Sequence, residues 1–544
     1  MPKISRREML KLMSLGSAGA ILAACSPQAA TPTSGPAATS GPAATSAPAT
    51  SASGKPVTIT LVESWFSVNQ DQAILDAANK KVSEKLQADG LNIEIKSLVL
   101  DDHATKYPLL YSSGADFTMA FDAPWNLMDT LRIQGSLAVL DDVMNQYGPN
   151  LKAAVTDKIL DANTWDGHWY GIPASGHYNI TSGVVIRQDL LEKYGAAAPD
   201  PMVGWPSLEP YLQAIADNEP DMLPFAYDPN YPPMWEGVLL KRTMGYWQGT
   251  NSKTGLIIPD ISAGRTLLDI ETVPQMVETA ALMRSWWEKG LINKADLPSA
   301  SGTANLLTDY FFPGKLAAVS VNEPNYLYYD YQKTIQTSVP DAVLKGYDMS
   351  GIQAGRYKGV GQLKQGNFIV FNAVAPQEQL VAAIQFFDWL VSSQDNVDLW
   401  LMGEDGVNYV KADNMRYTEV AGVDPTKNFR RAWYVGGIPS RFHREPADLP
   451  QDAFEEAQWA DTEANFDFDP YESFYVDATQ GDLQTQLAQL QAAWTEAFHG
   501  FATGQLPTDE AVSKMKDTLD GAGRQDYKAA VQAQLDAYIA ANPA

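Results

Sequence analysis

The chain contains a single cysteine, Cys25, among its 544 residues. The folded protein can therefore have no internal disulfide and no metal site built from several cysteines. Such a chain must be stabilised by its own hydrophobic core, and a chain of this length can bury most of its surface. At this length we also expect at least two domains.

The first 25 residues have the pattern of a secretion signal. The paired residues Arg6 and Arg7 precede an apolar run from 12 to 24, which is shorter than the roughly 20 residues that span a bilayer. Twin arginines indicate the export pathway for folded proteins. The run ends in Leu-Ala-Ala-Cys, which looks like a bacterial lipobox, so we predict a twin-arginine-type lipoprotein signal peptide over residues 1–25 and lipidation of Cys25. The alternative is a signal anchor with an incidental cysteine.

Residues 26–55 consist almost entirely of Pro, Ala, Thr, Ser and Gly. The sextet Ser-Gly-Pro-Ala-Ala-Thr occurs twice in succession, from Ser34 and from Ser40. Because the segment has almost nothing to bury, it cannot offset its ordering entropy, and we predict a disordered tether. A lipid followed by a tether places the folded part at the extracytoplasmic face of the cell membrane.

The chain is acidic, with 65 Asp and Glu against 39 Lys and Arg and a formal net charge of −26. This balance argues against nucleic acid as a partner, because phosphates require basic patches. It also argues against broad adhesion to anionic lipid. Solubility and colloidal repulsion explain the surplus of negative charge, and we expect a monomer.

From residue 56 onward the apolar pattern alternates between strands and helices. We predict strands over 57–62, 92–100 and 117–121, and helices over 70–86 and 106–113. This alternation is typical of an α/β fold with parallel strands and right-handed crossovers. Ligands of open parallel sheets bind beyond the carboxyl ends of the strands, where the chain here has carboxylates, amides and indoles.

The residues at these strand ends suit a carbohydrate ligand. An indole can stack on the apolar face of a sugar while carboxylates and amides bind its hydroxyls. Trp125 with Asn126 forms the strongest such pair. The candidate ligand-binding residues are Trp65, Asp102, Trp125, Asn126, Tyr178, Tyr227, Trp235, Asn322 and Glu323. For each aromatic residue the alternative is packing in the core or the hinge.

Several further motifs follow the tether in order. They are Gly-Ser-Leu-Ala-Val-Leu over 135–140, Trp-Asp-Gly-His-Trp-Tyr-Gly-Ile-Pro over 165–173, Phe-Pro-Gly-Lys-Leu-Ala-Ala-Val-Ser over 312–320, Phe-Phe-Asp-Trp-Leu-Val-Ser-Ser over 386–393, and Gly-Glu-Asp-Gly-Val-Asn-Tyr over 403–409. In this order the chain resembles the extracellular solute-binding proteins (family 1 type) of ABC sugar importers, specifically the large lipoprotein subgroup. The apolar spacing from residue 466 onward is similar to the helical extension of that subgroup.

This resemblance implies a two-lobed periplasmic-binding-protein-like fold of type II, with a ligand cleft between the lobes and a C-terminal helical segment. The N-terminal lobe would take 56–180 with a return segment at about 368–400, and the second lobe 181–367. Residues 401–544 would complete the second lobe and form the extension. The implied function is capture of an oligosaccharide or other carbohydrate and its delivery to the permease subunits of an ABC importer.

Motifs for catalysis and for cofactors are missing from the sequence. There is no Gly-x-Ser-x-Gly, no His-Glu-x-x-His and no phosphate-binding loop. Residues 465–469 begin like a calcium loop, but Pro470 stands where that loop needs glycine. We therefore expect no enzymatic activity, no cofactor and no metal. Two alternatives stay open, namely a binding protein for peptides or another organic solute, and a secreted glycoside hydrolase with two carboxylates across a cleft.

Overall fold

The computed structural model describes most of the chain after residue 53. The described residues are 54–63, 72–100, 103–114, 116–124, 126–174, 178, 181–226, 253–257, 265–294, 306–355, 359–413, 415–424, 427–431, 439–477 and 479–543. The chain divides into two units, Met1–Thr50 and Ser51–Ala544, and all described residues lie in the second. The predicted signal peptide, the lipidation site Cys25 and the tether up to residue 53 fall outside the described residues.

Most of the strands belong to two sheets. In chain order the strands are β1 (Val57–Glu63), β2 (Ile93–Val99), β3 (Met119–Asp122), β4 (Gly171–Pro173), β5 (Ser182–Arg187), β6 (Leu223–Phe225), β7 (Leu256–Ile257), β8 (Leu268–Asp269), β9 (Leu316–Asn322), β10 (Leu344–Asp348), β11 (Gly359–Gly361), β12 (Phe368–Phe371), β13 (Val410–Ala412), β14 (Arg416–Thr418), β15 (Glu445–Pro446) and β16 (Phe466–Phe468).

Helices cover both faces of these sheets. In chain order they are α1 (Gln72–Ala88), α2 (His103–Ser112), α3 (Met128–Ile133), α4 (Asp141–Tyr147), α5 (Pro149–Val155), α6 (Asp157–Ala162), α7 (Gln188–Tyr194), α8 (Glu209–Asn218), α9 (Pro274–Lys289), α10 (Pro324–Gln336), α11 (Gln377–Val391), α12 (Gln394–Met402), α13 (Gln451–Ala460), α14 (Leu483–Ala502), α15 (Thr508–Gly521) and α16 (Arg524–Ala541). None of the described helices has the length and apolar character needed to cross a membrane.

The first sheet has the strand order β2-β1-β3-β12-β4. Strands β1, β2 and β3 pair in parallel, as the sequence predicts. Strand β12 is different, because it runs antiparallel between β3 and β4, with Phe368 opposite both Asp122 and Pro173. The carboxyl ends of β1 to β4 therefore lie on one edge of the sheet, and β12 begins at that same edge.

The second sheet has the order β10-β5-β9-β6. Strands β6 and β9 are parallel, whereas β5 runs antiparallel to both β9 and β10. This register places Ser182, the first residue of β5, opposite Asn322, the last residue of β9. The second sheet thus repeats the design of the first, in which one antiparallel strand begins where its neighbours end.

Each sheet has buried apolar side chains on both faces. Alternate residues of β3 show this, because Met119 and Phe121 join one core cluster whereas Ala120 joins another. In β9, likewise, Ala318 and Val319 lie in different clusters. Helices on both faces of a mostly parallel sheet define the α/β class, so the fold class predicted from the sequence is confirmed.

The three C-terminal helices, α14 to α16, share one hydrophobic core with the second sheet. Leu490, Met515 and Val531 belong to the same buried cluster as Ile186 of β5 and Trp286 of α9. The helical spacing of apolar residues after 483 in the sequence therefore corresponds to the buried faces of real helices. The helices extend the second sheet's core rather than form a core of their own.

A buried ion pair fixes α16 to this core. Arg524, which has no exposed side-chain surface, donates to both carboxylate oxygens of Glu271, at 2.7 and 2.6 Å. Its Nε also donates to Asp520 at 2.9 Å, and Asp269 lies 3.7 Å away. One guanidinium thus contacts three carboxylates, of which Asp269 and Asp520 also pair with Lys528 and Lys516.

Replacing Arg524 by alanine is expected to destabilise the fold by about 3–5 kcal/mol, because Glu271 would stay buried without its countercharge. The midpoint of denaturant-induced unfolding measures this change. The double variant R524M/E271L, which removes both charges and keeps apolar volume, is expected to recover most of the loss.

The matched control is Lys80→Met, since the Lys80–Glu84 pair lies on the exposed surface of α1. Exposed pairs contribute little, so this variant is expected to unfold at the wild-type midpoint. Equal midpoints for R524A and wild type would contradict the structural role given to Arg524.

Candidate ligand site

The carboxyl edges of the two sheets are joined by the same connections. Residues 174–181 lead from the end of β4 to the start of β5, and eight residues span at most about 28 Å when fully extended. Residues 349–367 lead from the end of β10 back to the start of β12. Because both connections begin and end at carboxyl edges, the chain crosses between the two sheets at these edges. This is the place where open α/β sheets bind ligands.

At the edge of the first sheet, a loop folds around the carboxyl group of Asp122. Its Oδ1 accepts hydrogen bonds from the backbone N of Ala123 at 2.8 Å and of Leu127 at 3.2 Å. The side-chain amide of Asn126 donates to the same oxygen at 3.0 Å. Asn126 is thus at the predicted edge, held by the last residue of β3.

The carboxyl group of Asp122 lies at the boundary between charged and neutral. Asp122 is fully buried, and burial raises its pKa to about 7 against the opposing effect of the three loop donors. Its Oδ2 and the hydroxyl of Tyr111 are buried without a hydrogen-bond partner among the described residues. A neutral carboxyl group can both donate and accept, which matches the behaviour of a hydroxyl.

At the edge of the second sheet, Asn322 and Glu323 form a sharp corner. Glu323 has φ 50° and ψ 55°, a left-handed conformation that costs of order 1–3 kcal/mol in a residue with a side chain. Its backbone N donates to the carbonyl of Thr181 at 3.0 Å, and its carbonyl accepts from Tyr326 and Leu327 in the first turn of α10. The corner thus joins a strand end, a helix start and the connection between the sheets.

Tyr178 lies in the connection that leads to β5. Its backbone N donates to Ala460 at 3.0 Å, and its carbonyl accepts from Gln362 at 2.6 Å. Its ring packs edge-on against Phe468, with centroids 5.4 Å apart. These contacts correspond to the hinge-packing alternative for Tyr178, and its role toward a ligand stays a prediction.

Five of the predicted ligand residues lie outside the described residues, namely Trp65, Asp102, Trp125, Tyr227 and Trp235. The four that are described divide between the two edges. Asn126 lies at the first edge, Asn322 and Glu323 at the second, and Tyr178 between them. The ligand role of all nine stays a prediction.

Two buried carboxyl groups near the edges, Asp122 and Glu456, are not among the predicted ligand residues. Asp122 is the last residue of β3, and its complete burial depends on tertiary packing. Glu456 lies on α13, 275 residues after Thr181 in the chain. Its carboxyl group nevertheless accepts a hydrogen bond from the hydroxyl of that threonine. Contacts across such distances leave no local signal in the sequence.

The second connection carries a half-buried lysine, Lys364. The ammonium of Lys364 donates to the carbonyl of Phe474 at 2.9 Å, and its backbone N donates to Glu472 at the same distance. Burial lowers the pKa of Lys364 to about 8 and raises that of Glu472 to about 7. Residues 472–474 therefore tie this connection to the segment that precedes the C-terminal helices.

Glu63, the last residue of β1, is bound within the protein through one of its two carboxylate oxygens. It is completely buried and forms an ion pair with Arg431, whose guanidinium lies 3.6 Å from the ring of Trp400. Ser97 also donates to Glu63.

Among the described residues no group of three or more His, Cys, Asp or Glu side chains could hold a metal ion.

Sequence comparison finds two similarities. Residues 470–540 match a family described as a domain of unknown function, DUF3502. A stretch of 153 residues is 28% identical to a carbohydrate ABC transporter substrate-binding protein of Streptococcus pneumoniae serotype 4. This stretch is 28% of the chain and 30% of that protein, so the chain spans under a third of the relative's length.

Structural comparison finds similarity over nearly the whole chain. The N-glycan transport solute-binding protein of Streptococcus pneumoniae, solved with Man5GlcNAc, has a TM-score of 0.63 at 17% identity, covering 90% of this chain and 100% of that one. An extracellular solute-binding protein of Bifidobacterium longum subsp. infantis has a TM-score of 0.58 at 16% identity, covering 90% and 99%. An HMO-binding, ABC-transporter-associated protein from the same subspecies has a TM-score of 0.55 at 16% identity, covering 89% and 99%.

Similarity at this level of identity establishes the fold. The two sheets, their helices and the C-terminal helices together have the arrangement of these solute-binding proteins. The resemblance predicted from the sequence is confirmed: the chain has the two-lobed fold of the solute-binding proteins that serve ABC transporters.

Proposed function

We propose that this protein captures an oligosaccharide outside the cytoplasmic membrane and delivers it to the permease of an ABC transporter. The observation that carries the proposal is that the chain crosses between the two sheets at their carboxyl edges, where Asn126, Asn322 and Glu323 lie and where the buried Asp122 holds the loop of Asn126. Such groups bind sugar hydroxyls, and a site enclosed from two sides can hold a ligand longer than one ring.

Proteins with this fold support an oligosaccharide as the ligand class. The N-glycan transport protein was solved with Man5GlcNAc and with Man1GlcNAc, at TM-scores of 0.63 and 0.65. An alginate-binding protein and a protein of S. pneumoniae in complex with fructo-nystose both have TM-scores of 0.56. Because these ligands differ in sugar type and linkage, they support the class of ligand and leave its identity to experiment.

Within this proposal the aromatic residues and the polar residues have different tasks. Trp65, Trp125, Tyr227 and Trp235 would stack on the apolar faces of sugar rings, with Tyr178 between the lobes. Asp102, Asn126, Asn322 and Glu323 would bind hydroxyls. The mixture gives affinity through the rings and orientation through the hydrogen bonds.

Binding would proceed without chemistry on the sugar. Open and closed arrangements of the two lobes exchange, and a ligand that contacts both edges shifts the population toward the closed one. The connections 174–181 and 349–367 are the segments that such a motion would bend. The closed form would then dock on the permease.

The N-terminal residues fit this task. A twin-arginine signal would export the folded chain, lipid on Cys25 would hold it at the membrane, and residues 26–55 would give it reach toward the permease. The protein would act as a monomer on the extracytoplasmic face of the cell membrane.

The first test is a thermal-shift and tryptophan-fluorescence titration of the chain from Ser26 onward with a panel of oligosaccharides and peptides. A ligand present at 100 times its Kd stabilises the native state by about 2.7 kcal/mol, which shifts the melting temperature measurably. We expect a shift with one class of oligosaccharide and the intact sugar recovered afterwards. Shortened sugar would identify a glycoside hydrolase, and a response to peptides alone would overturn the carbohydrate assignment.

A second test concerns the loop at the first edge. Asp122→Ala removes the acceptor of three loop hydrogen bonds, so we expect oligosaccharide binding to weaken about 10-fold or more, which corresponds to about 1.4 kcal/mol. Asp122→Asn keeps one side-chain oxygen, and its affinity is expected to stay within about 3-fold of wild type. Isothermal titration calorimetry measures both.

Asp116→Ala is the matched control, because this exposed aspartate lies before the opposite end of the same strand. It is expected to bind like wild type. Wild-type affinity in the Asp122→Ala variant, at an unchanged melting temperature, would show that the loop does not contribute to binding.

A further inference from the structure

The buried carboxyl group of Glu456 binds the chain on both sides of the Asn322–Glu323 corner at the second edge. Glu456 of α13 has 1% of its surface exposed. Its Oε1 accepts from the hydroxyl of Thr181 and from the amide of Asn325, the latter at 3.3 Å. Its Oε2 accepts from the backbone N of Tyr326 at 3.1 Å. One side chain thus uses both oxygens to bind groups outside its own helix.

These partners surround the predicted ligand residues Asn322 and Glu323. Thr181 is the last residue of the connection between the sheets, and its carbonyl accepts a hydrogen bond from the backbone N of Glu323. Asn325 and Tyr326 form the first turn of α10, which begins directly after Glu323. Glu456 therefore joins the chain before and after the corner, where Glu323 is held in its left-handed conformation.

The charges near Glu456 oppose its ionisation. The groups that act on it electrostatically are two further acids, Glu323 and Asp348, and among the described residues no lysine or arginine lies within ion-pair distance. On neighbouring elements the hydroxyl of Tyr326 donates to Glu445, and Lys345 pairs with Asp452. The start of α10 supplies the favourable partial charge.

The chemical consequence is a carboxyl group that keeps its proton near neutral pH. Burial raises the pKa of Glu456 to about 8, and Glu323 and Asp348 add to this effect, whereas the hydrogen bonds from Thr181 and Tyr326 act against it. Loss of the proton would put a third negative charge beside Glu323 and Asp348 in a place with little water.

We propose that Glu456 is a positioning residue for the ligand site, which as a neutral acid holds the Asn322–Glu323 corner in place and releases it on ionisation. The part of this inference that concerns ligand affinity rests on the proposed function. The positioning itself is a property of the unliganded protein and can be tested without any sugar.

The first experiment compares the melting temperatures of wild type, Glu456→Gln and Glu456→Ala from pH 5 to pH 9. The pKa in the folded chain, about 8, lies above the ordinary value of 4.5, so the stabilising contribution is complete below about pH 4.5 and is lost as the pH rises to about 8. Glutamine does not titrate. We therefore expect wild type to lose about 2 °C or more relative to E456Q between pH 5 and pH 8.

The second experiment measures hydrogen–deuterium exchange of the peptide 320–328, corrected for the intrinsic pH dependence of exchange. In wild type we expect protection to fall at least about 3-fold between pH 7 and pH 9, since Glu456 ionises over this range. E456Q is expected to stay protected, and E456A to be unprotected at every pH. If alanine prevents folding, the comparison of wild type with E456Q still decides.

Glu455→Gln is the matched control, because Glu455 is exposed on the same helix. It is expected to follow wild type in both experiments. Parallel melting curves for wild type and E456Q, together with pH-independent protection of 320–328, would overturn the proposal.

A third measurement relates the corner to binding. With an oligosaccharide identified by the titration described above, affinity is expected to fall about 3-fold or more from pH 6 to pH 9 in wild type and to stay constant in E456Q. Equal pH dependence in the two proteins would overturn the role toward the ligand. If no oligosaccharide binds, the proposed function fails, while the melting and exchange data still decide the positioning role.

Discussion

The structure depends on strand β12, the four residues Phe368–Phe371 that return the chain to the first sheet. All four are fully buried, and they pair with β3 on one side and β4 on the other. Because this strand runs antiparallel to both neighbours, it starts at their carboxyl edge. The connection that precedes it is thereby forced across the same edge, and β5 imposes the same condition on the second sheet.

This arrangement concentrates buried carboxyl groups at the two edges, and the groups differ in the partners they have. Glu63 is paired with Arg431, so its charge is balanced inside the protein. Asp122 is surrounded by donors of its own loop, and Glu456 by donors from two other segments, and neither has a countercharge among the residues that the structure describes. A buried carboxyl group without a countercharge holds its proton readily, because only the neutral form avoids the cost of burying a charge.

The C-terminal helices are continuous with the second lobe. Phe474 packs against Tyr538 of α16. The carbonyl of Phe474 also accepts a hydrogen bond from the ammonium of Lys364. Tyr475, its neighbour in the chain, donates to Asp166 beside the first sheet. A short segment, 474–475, therefore contacts residues of both lobes before the helices begin.

The sequence by itself determined the local elements: strands near 57–62, 92–100 and 117–121, the helices between them, and the buried faces of α14 to α16. These follow from periodicity, because the side chains that one face buries recur at fixed spacing. Only the tertiary structure decided that β5 and β12 run antiparallel, and that Glu456 supports the corner at Glu323. Such choices depend on contacts between residues hundreds of positions apart, for which local spacing carries no information.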